Sequence, residues 1–310
     1  MGFFMDYELA IIGAGPAGFS AAIYAKRSGI STVVFDRGGG GGLLQVAPNI
    51  ENYAGFDSIP GVALVEKMKQ HAAKYADFHF YEEVKEITSS SPGFVVKTEK
   101  ATYRVGAVIL CTGTEHRKLD VPGEAELLGK GVSYCATCDG FFFKGKNVVV
   151  VGGGNAALIE SIFLKQIGCT EVYVVHRRSQ FRAEKVYEEE AREKGVQFIF
   201  NTIVEEIVGK EIVSSVSLFN LETSERKKLA VDGVFASVGV LPQNEIAQSL
   251  GLKLDENGYI VVNAGQRTSV AGVYAAGDVT GGVRQVVIAC AKGAVAALSS
   301  TEALGKKYPY

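Results

Sequence analysis

Cys135-Ala136-Thr137-Cys138 sets two thiols at CxxC spacing, with Asp139 directly behind them. Two cysteines so placed can close into a disulfide and reopen, so the pair can take up and release two electrons. Only the thiolate attacks, and a CxxC pair at a helix start can lower a thiol pKa enough to supply it near neutral pH. The same spacing is half of a zinc site, but there is no second CxxC and no nearby histidine pair to complete four ligands, so no metal is expected. Shortly after the dithiol, Val148 to Val151 run into Gly152-Gly153-Gly154, which reads as a strand and a dinucleotide-binding loop. A redox dithiol beside such a loop points to hydride that arrives there and leaves as thiols.

Two strand–loop–helix units are needed to hold this chemistry. In the first, the apolar run Tyr7 to Ile12 leads into Gly13-Ala14-Gly15-Pro16-Ala17-Gly18 and a helical stretch ending near Gly29. Gly13 permits the turn, Gly15 lets a pyrophosphate reach the backbone, and Gly18 lets helix pack on strand. Pro16 suits the first helical turn, where a missing N–H costs nothing. A second strand, Ser31 to Phe35, ends in Asp36, where a carboxylate binds ribose hydroxyls.

The pattern recurs at Gly152, Gly154 and Ala157, followed by a strand from Glu171 to Val175. This strand ends in His176-Arg177-Arg178, with Arg182 beyond, and no acid stands where Asp36 stood. A carboxylate would repel a 2′-phosphate, whereas arginines bind it by charge-assisted hydrogen bonds, so this unit prefers NADP over NAD. Val108 to Gly113 and Val234 to Gly239 are apolar strands ending in glycine, and each closes one unit. The connectors Glu115 to Glu124 and Val240 to Asn244 each carry proline and polar residues. The second unit therefore reads as inserted into the first, which resumes after about residue 245.

Length and composition agree with this organisation. The chain has 310 residues, enough for one large or two ordinary domains, and its 47% hydrophobic share suffices for real cores. Its 32 basic and 34 acidic side chains nearly cancel, so neither nucleic acid nor a membrane is expected as partner. Five scattered cysteines do not form a secreted disulfide framework; Cys111, Cys169 and Cys290 are expected as packing residues. The start of the chain lacks a leader pattern, no uninterrupted apolar run is long enough to span a bilayer, and a cytoplasmic protein is expected. His71 and His79 are expected at the surface. The run Phe141-Phe142-Phe143 is read as core packing in preference to an exposed docking patch.

On these motifs the chain resembles the low-molecular-weight thioredoxin reductases almost from end to end. The resemblance is carried by both glycine loops, Glu51-Asn52-Tyr53, the CATCD segment, His176-Arg177-Arg178 with Phe181-Arg182-Ala183, Ala275-Ala276-Gly277-Asp278-Val279 and Arg284-Gln285. It implies an α/β fold of two Rossmann-like, three-layer domains, with an NADPH domain (residues 117–244) inserted into an FAD domain (residues 1–116 and 245–310). FAD would be held by Gly13, Gly15, Ala17, Gly18, Asp36, Arg37, Gly42, Asn52, Gly113, Gly277, Asp278, Arg284, Gln285 and Val286. The helix after Gln285 would aim its positive N-terminus at the flavin. NADPH would be held by Gly152, Gly154, Asn155, Ala156, His176, Arg177, Arg178 and Arg182.

The resemblance also implies the roles of the CATCD residues. Cys138 would face the flavin, Cys135 would attack the partner disulfide, and Asp139 would supply or accept a proton. The partner would be thioredoxin or a glutaredoxin-like protein, and the enzyme a homodimer. Dithiol and NADPH site share one domain yet must meet one flavin, so that domain is expected to rotate about its two linkers. A flavin-dependent dithiol oxidase is the competing reading, against which the basic turn argues. The chain departs from the family pattern at the glycine run Gly38 to Gly42, at Leu43 where an amide side chain is usual, at Ala54, and at Asn155-Ala156.

Overall fold

A strand apolar at every position is stable only where both of its faces are covered, and the two glycine loops each follow such a strand. The computed structural model describes residues 6–47 and 50–307. In chain order the first elements are β1 (Tyr7–Ile12), α1 (Pro16–Arg27), β2 (Thr32–Asp36), α2 (Gly61–Ala72), β3 (Asp77–Phe80), β4 (Val84–Ser89), β5 (Phe94–Thr98) and β6 (Thr102–Leu110). After β7 (Thr114–His116) come β8 (Val132–Ser133), α3 (Ala136–Asp139), β9 (Val148–Gly152), α4 (Asn155–Gln166), β10 (Val172–Val175), α5 (Lys185–Glu193) and β11 (Gln197–Ile199). Then follow β12 (Thr202–Gly209), β13 (Val213–Asn220), β14 (Arg226–Ala230), β15 (Gly233–Ser237), β16 (Val240–Pro242), α6 (Glu245–Ser249), β17 (Val273–Ala275) and α7 (Val286–Ala303).

The chain divides into two compact units. One holds the chain up to Gln45, Tyr53–Glu115 and the chain from Leu241 onward; the other holds Val46–Asn52 and His116–Val240. The expected boundaries lay at 116/117 and 244/245, and the segment Val46–Asn52, expected with the first unit, clusters with the second. The crossing strands β7 and β16 pair with each other.

In the first unit, β3-β2-β1-β6 lie side by side in parallel and β17 adds to the end of β6, while β5 and β4 extend the start of β6 as an antiparallel meander. Ala10 and Ile12 face a core made with Val84, Ile87, Phe94, Val96 and Ile260. The alternate residues Leu9 and Ile11 are equally buried, as a period of two demands in a strand covered on both faces. Helix α7 is the one described helix long and apolar enough to cross a membrane by length and composition. Its small-residue stripe instead packs on α1: a side chain at Gly293 would stand 2.1 Å from the Ala17 carbonyl oxygen.

The second unit repeats the plan with the parallel order β11-β10-β9-β15-β8. Val148 and Val150 pack with α4 residues Leu158 and Ile162. Val149 and Val151 pack against Val204, Ile207 and Val216 of the antiparallel sheet β12-β13-β14. Each unit is thus a three-layer α/β body, and β1 and β9 are equivalent central strands.

Candidate redox and nucleotide sites

Cys135 and Cys138 form a disulfide with a Cα–Cα separation of 5.3 Å. Cys135 is the N-cap of α3, and its carbonyl accepts the Cys138 and Asp139 backbone N–H groups at 3.2 and 3.1 Å. The Cys135 sulfur lies 3.4 Å from the Thr137 hydroxyl. Asp139 is buried; Ser133 Oγ donates to its Oδ2, while Oδ1 is buried without a hydrogen-bond partner. Burial pushes the Asp139 carboxyl up from the usual range, and the bond from Ser133 opposes that only in part. Tyr134 donates to the buried Glu124 at 2.8 Å and stacks on His116, which ties the residue before the dithiol to the chain that enters the unit. Neither Ser133 nor Glu124 was among the expected site residues, because a serine in a strand and a glutamate after a turn carry no motif.

The phenylalanine run splits. Phe143 is 7% exposed and packs edge-on to Phe235, whereas Phe141 and Phe142 are 58% and 40% exposed. The run spans one tight helical turn, which cannot direct three consecutive side chains to one face. Core packing therefore describes Phe143 alone.

Around the second-unit loop, a Cβ on Gly152 would stand 2.4 Å from the Ser237 carbonyl oxygen, so the closing strand β15 requires glycine there. A Cβ on Gly154 would meet nothing within 4 Å, leaving open space at the N-cap of α4. Arg177, Arg178 and Arg182 are exposed, and among the described residues none of them makes an ion pair. His176 is buried under Gly153, where an added Cβ would stand 2.1 Å from its ring. Burial holds its imidazole below the ordinary range, and its place under Gly153 makes it a wedge that shapes the loop. Asn155 has both ends of its amide on Glu184, giving to Oε1 at 2.7 Å and accepting the backbone N–H at 2.9 Å. That side chain clamps α4 to the start of α5, while Ala156 is exposed.

The first-unit loop has the same construction. A Cβ on Gly13 would stand 2.3 Å from the Cys111 carbonyl oxygen and one on Gly18 1.9 Å from the Gly13 carbonyl oxygen, whereas Gly15 and Gly113 face open space. Asp36 accepts the Ala14 N–H at 2.8 Å on one oxygen and the Gly38 N–H at 2.8 Å on the other. A carboxylate has about four acceptor sites, so these two bonds fix it without using all of them. Arg37 is paired with Glu115.

Gly40, Gly41 and Gly42 have φ of +82°, +95° and +55°, and the Gly41 N–H donates to the Ala14 carbonyl at 2.7 Å. The glycine run is thus a packed loop against the start of α1, and the Gln45 amide turns back onto the Gly40 carbonyl. Gly277 packs on Ala17. Asp278 behind it has its carboxyl pushed up by burial, against the opposing Arg284 and Lys292. Lys292 donates to Thr280 Oγ1 and the Gly281 carbonyl at 2.9 and 2.6 Å. Gln285 is the N-cap of α7 and Val286 its first residue. Asn52 is exposed and lies in the segment that clusters with the second unit. Cys111 and Cys169 are buried, with thiols pushed by burial to about 12 and about 11, and Cys290 is half-buried. Among the described residues no group of three or more His, Cys, Asp or Glu is placed to hold a metal ion.

Comparison with known proteins agrees with this geometry. The pyridine nucleotide-disulphide oxidoreductase family matches residues 7–293. A thioredoxin reductase of Bacillus subtilis is 42% identical over 298 residues, covering 94% of this chain and 93% of the relative. The crystal structure of thioredoxin reductase from Streptococcus pyogenes matches with a TM-score of 0.91 at 39% identity, covering 96% of this chain and 98% of that one. That of T. acidophilum thioredoxin reductase, 44% identical over 96% of this chain and 99% of its own, has a TM-score of 0.67.

Proposed function

Because this chain belongs to the thioredoxin reductases of the pyridine nucleotide-disulphide oxidoreductase family, we propose that it is an NADPH-dependent, FAD-containing enzyme that reduces thioredoxin through Cys135 and Cys138. One observation carries the reading. The disulfide shares a unit with a glycine loop that leaves open space at Gly154 and ends among unpaired arginines.

The first-unit residues fit FAD. Gly15 and Gly113 leave the space a pyrophosphate needs against the backbone, and Asp36 is already fixed for a ribose. Gly13, Ala17, Gly18 and Gly277 pack α1 so that its N-terminus faces that space, and Asp278 and the α7 start complete the cradle. The second-unit residues fit NADPH. Gly152 packs the loop on β15, Gly154 leaves the space a pyrophosphate needs, and Arg177, Arg178 and Arg182 are free to bind a 2′-phosphate. His176 and Asn155 serve this site by holding the loop. FAD, when bound, supplies a two-electron carrier between nicotinamide and disulfide.

The chain's own chemistry lies at the CATCD segment. Cys135, the N-cap of α3, is the attacking sulfur, Cys138 closes the disulfide again, and Asp139 carries a proton on Oδ1. Exposed Phe141 and Phe142 offer an apolar contact for thioredoxin beside Cys135; a glutaredoxin-like protein is the alternative acceptor. Both the dithiol and the arginine loop must reach one flavin, which requires the second unit to move.

The test is anaerobic titration of the yellow holoenzyme. NADPH bleaches the flavin at far lower concentration than NADH, and thioredoxin disulfide restores the colour much faster than air. Failure of NADPH to bleach it, or reoxidation by air as fast as by thioredoxin, defeats the reading.

A further inference from the structure

We propose that Ser133 is a positioning residue of the dithiol chemistry, holding Asp139 by Oδ2 so that Oδ1 stays available to exchange a proton with the reacting sulfurs. This rests on the reading of Asp139 as the proton carrier.

Ser133 is 4% exposed on β8, the edge strand of the second unit's parallel sheet, where it is in register with Phe235. Its hydroxyl accepts the Cys135 backbone N–H at 3.0 Å and donates to Asp139 Oδ2. A hydroxyl has one hydrogen, and the other acceptor in reach, the Cys135 carbonyl at 3.4 Å, is too distant to compete. One oxygen atom thus fixes both the first cysteine's backbone and the carboxyl. Asp139 is 8% exposed, and its Oδ1 is left without a partner. An unsatisfied buried oxygen is costly, so its presence calls for an explanation.

Burial raises the Asp139 carboxyl and the bond from Ser133 opposes it. Helix α4, which packs on α3, carries Glu160 and Lys165. The strands β8, β9 and β15 and the turn Gly140–Phe143 bring no acidic or basic side chain, and the Tyr134 hydroxyl is occupied by Glu124.

The exchange balances through this oxygen. Cys135, as thiolate, attacks one sulfur of the partner disulfide; a Cys135–partner bond forms and the partner's S–S bond breaks. The outgoing partner sulfur takes the proton from Asp139 Oδ1. Asp139, now a carboxylate, takes the proton of Cys138, whose thiolate attacks Cys135 and expels the second partner sulfur. The partner gains two electrons and one proton, and the dithiol loses them.

The experiment uses the holoenzyme with carbonyl-13C-labelled aspartate. In Ser133→Ala the Asp139 resonance titrates about one pH unit higher than in wild type, since a hydrogen bond to the carboxylate is lost. The alkaline limb of the rate at which thioredoxin disulfide reoxidises the reduced enzyme moves up by the same amount. Ser133→Thr, which keeps a hydroxyl, restores both. Should Asp139→Asn abolish the pH dependence while Ser133→Ala shifts neither titration nor rate profile, the Ser133 role is overturned and the Asp139 reading stands. Should Asp139→Asn leave rate and profile unchanged, both are overturned.

Discussion

Gly15 and Gly18 belong to one motif, and the structure separates them. Gly15 is the N-cap of α1 at φ −81° and ψ −174°, a conformation alanine adopts freely, and its Cβ would meet nothing within 4 Å. Alanine loses about 0.5 kcal/mol as an N-cap and gains about as much from a less flexible unfolded chain. The stability of the flavin-free protein should therefore stay within about 0.5 kcal/mol of wild type. On the proposed function, the methyl group instead fills the space where a pyrophosphate must approach. Overpacking of that kind costs about 1–3 kcal/mol, a loss of roughly 5- to 150-fold in FAD affinity.

Gly18→Ala does the opposite. Its Cβ would lie 1.9 Å from the Gly13 carbonyl oxygen, backbone that cannot swing aside. The gain in helix propensity, about 1 kcal/mol, does not offset forcing strand and helix apart. Thermal unfolding of the flavin-free proteins and titration with FAD by fluorescence quenching measure both effects. In the same assays Gly154→Ala should bind FAD normally and need more NADPH for bleaching. A Gly15→Ala protein with wild-type FAD affinity, or one that unfolds as easily as Gly18→Ala, would refute the assignment of that space to a cofactor.

Replacing Phe141 and Phe142 together by alanine should raise the KM for thioredoxin about tenfold, the scale of one lost apolar contact region, and leave reduction of a small aromatic disulfide unchanged. Phe143→Ala should instead cost about 3–5 kcal/mol of stability, read by chemical denaturation. Glu82 is a buried carboxyl that burial alone would push up, but bonds from Thr98, His79 and Tyr103 outweigh burial and hold it below the usual range. Its stabilisation is present above the unfolded carboxylate pKa and lost as pH falls through the lower folded value. Glu82→Gln should therefore lower stability by about 1–3 kcal/mol at neutral pH and flatten the acid limb of an unfolding-versus-pH curve.

Features that depend on local spacing were legible in the chain. The strand–glycine–helix repeats are short-range patterns of apolar period and turn chemistry, and the structure places both at equivalent central strands, β1 and β9. The dithiol was equally plain, because CxxC spacing by itself brings two sulfurs into bonding range. The closing strands Val108 to Leu110 and Val234 to Ala236 showed through uninterrupted apolar runs, which only a strand covered on both faces tolerates.

What the chain did not reveal is where each side chain ends once distant elements close over it. Asn155 stands in the second glycine loop, yet its amide is held at both ends by Glu184. His176 reads as part of a basic turn but is buried beneath Gly153. Three identical phenylalanines divide between core and solvent because one tight turn points them in different directions. Ser133 acquires its place only because β8 pairs with β15 and the α3 turn returns Asp139 to it. The sequence by itself determined the strands, loops and reactive pair, since those follow from neighbours along the chain. Tertiary structure alone decided which polar groups are satisfied and which, like Asp139 Oδ1, are left without a partner, because hydrogen-bond partners are chosen across the fold.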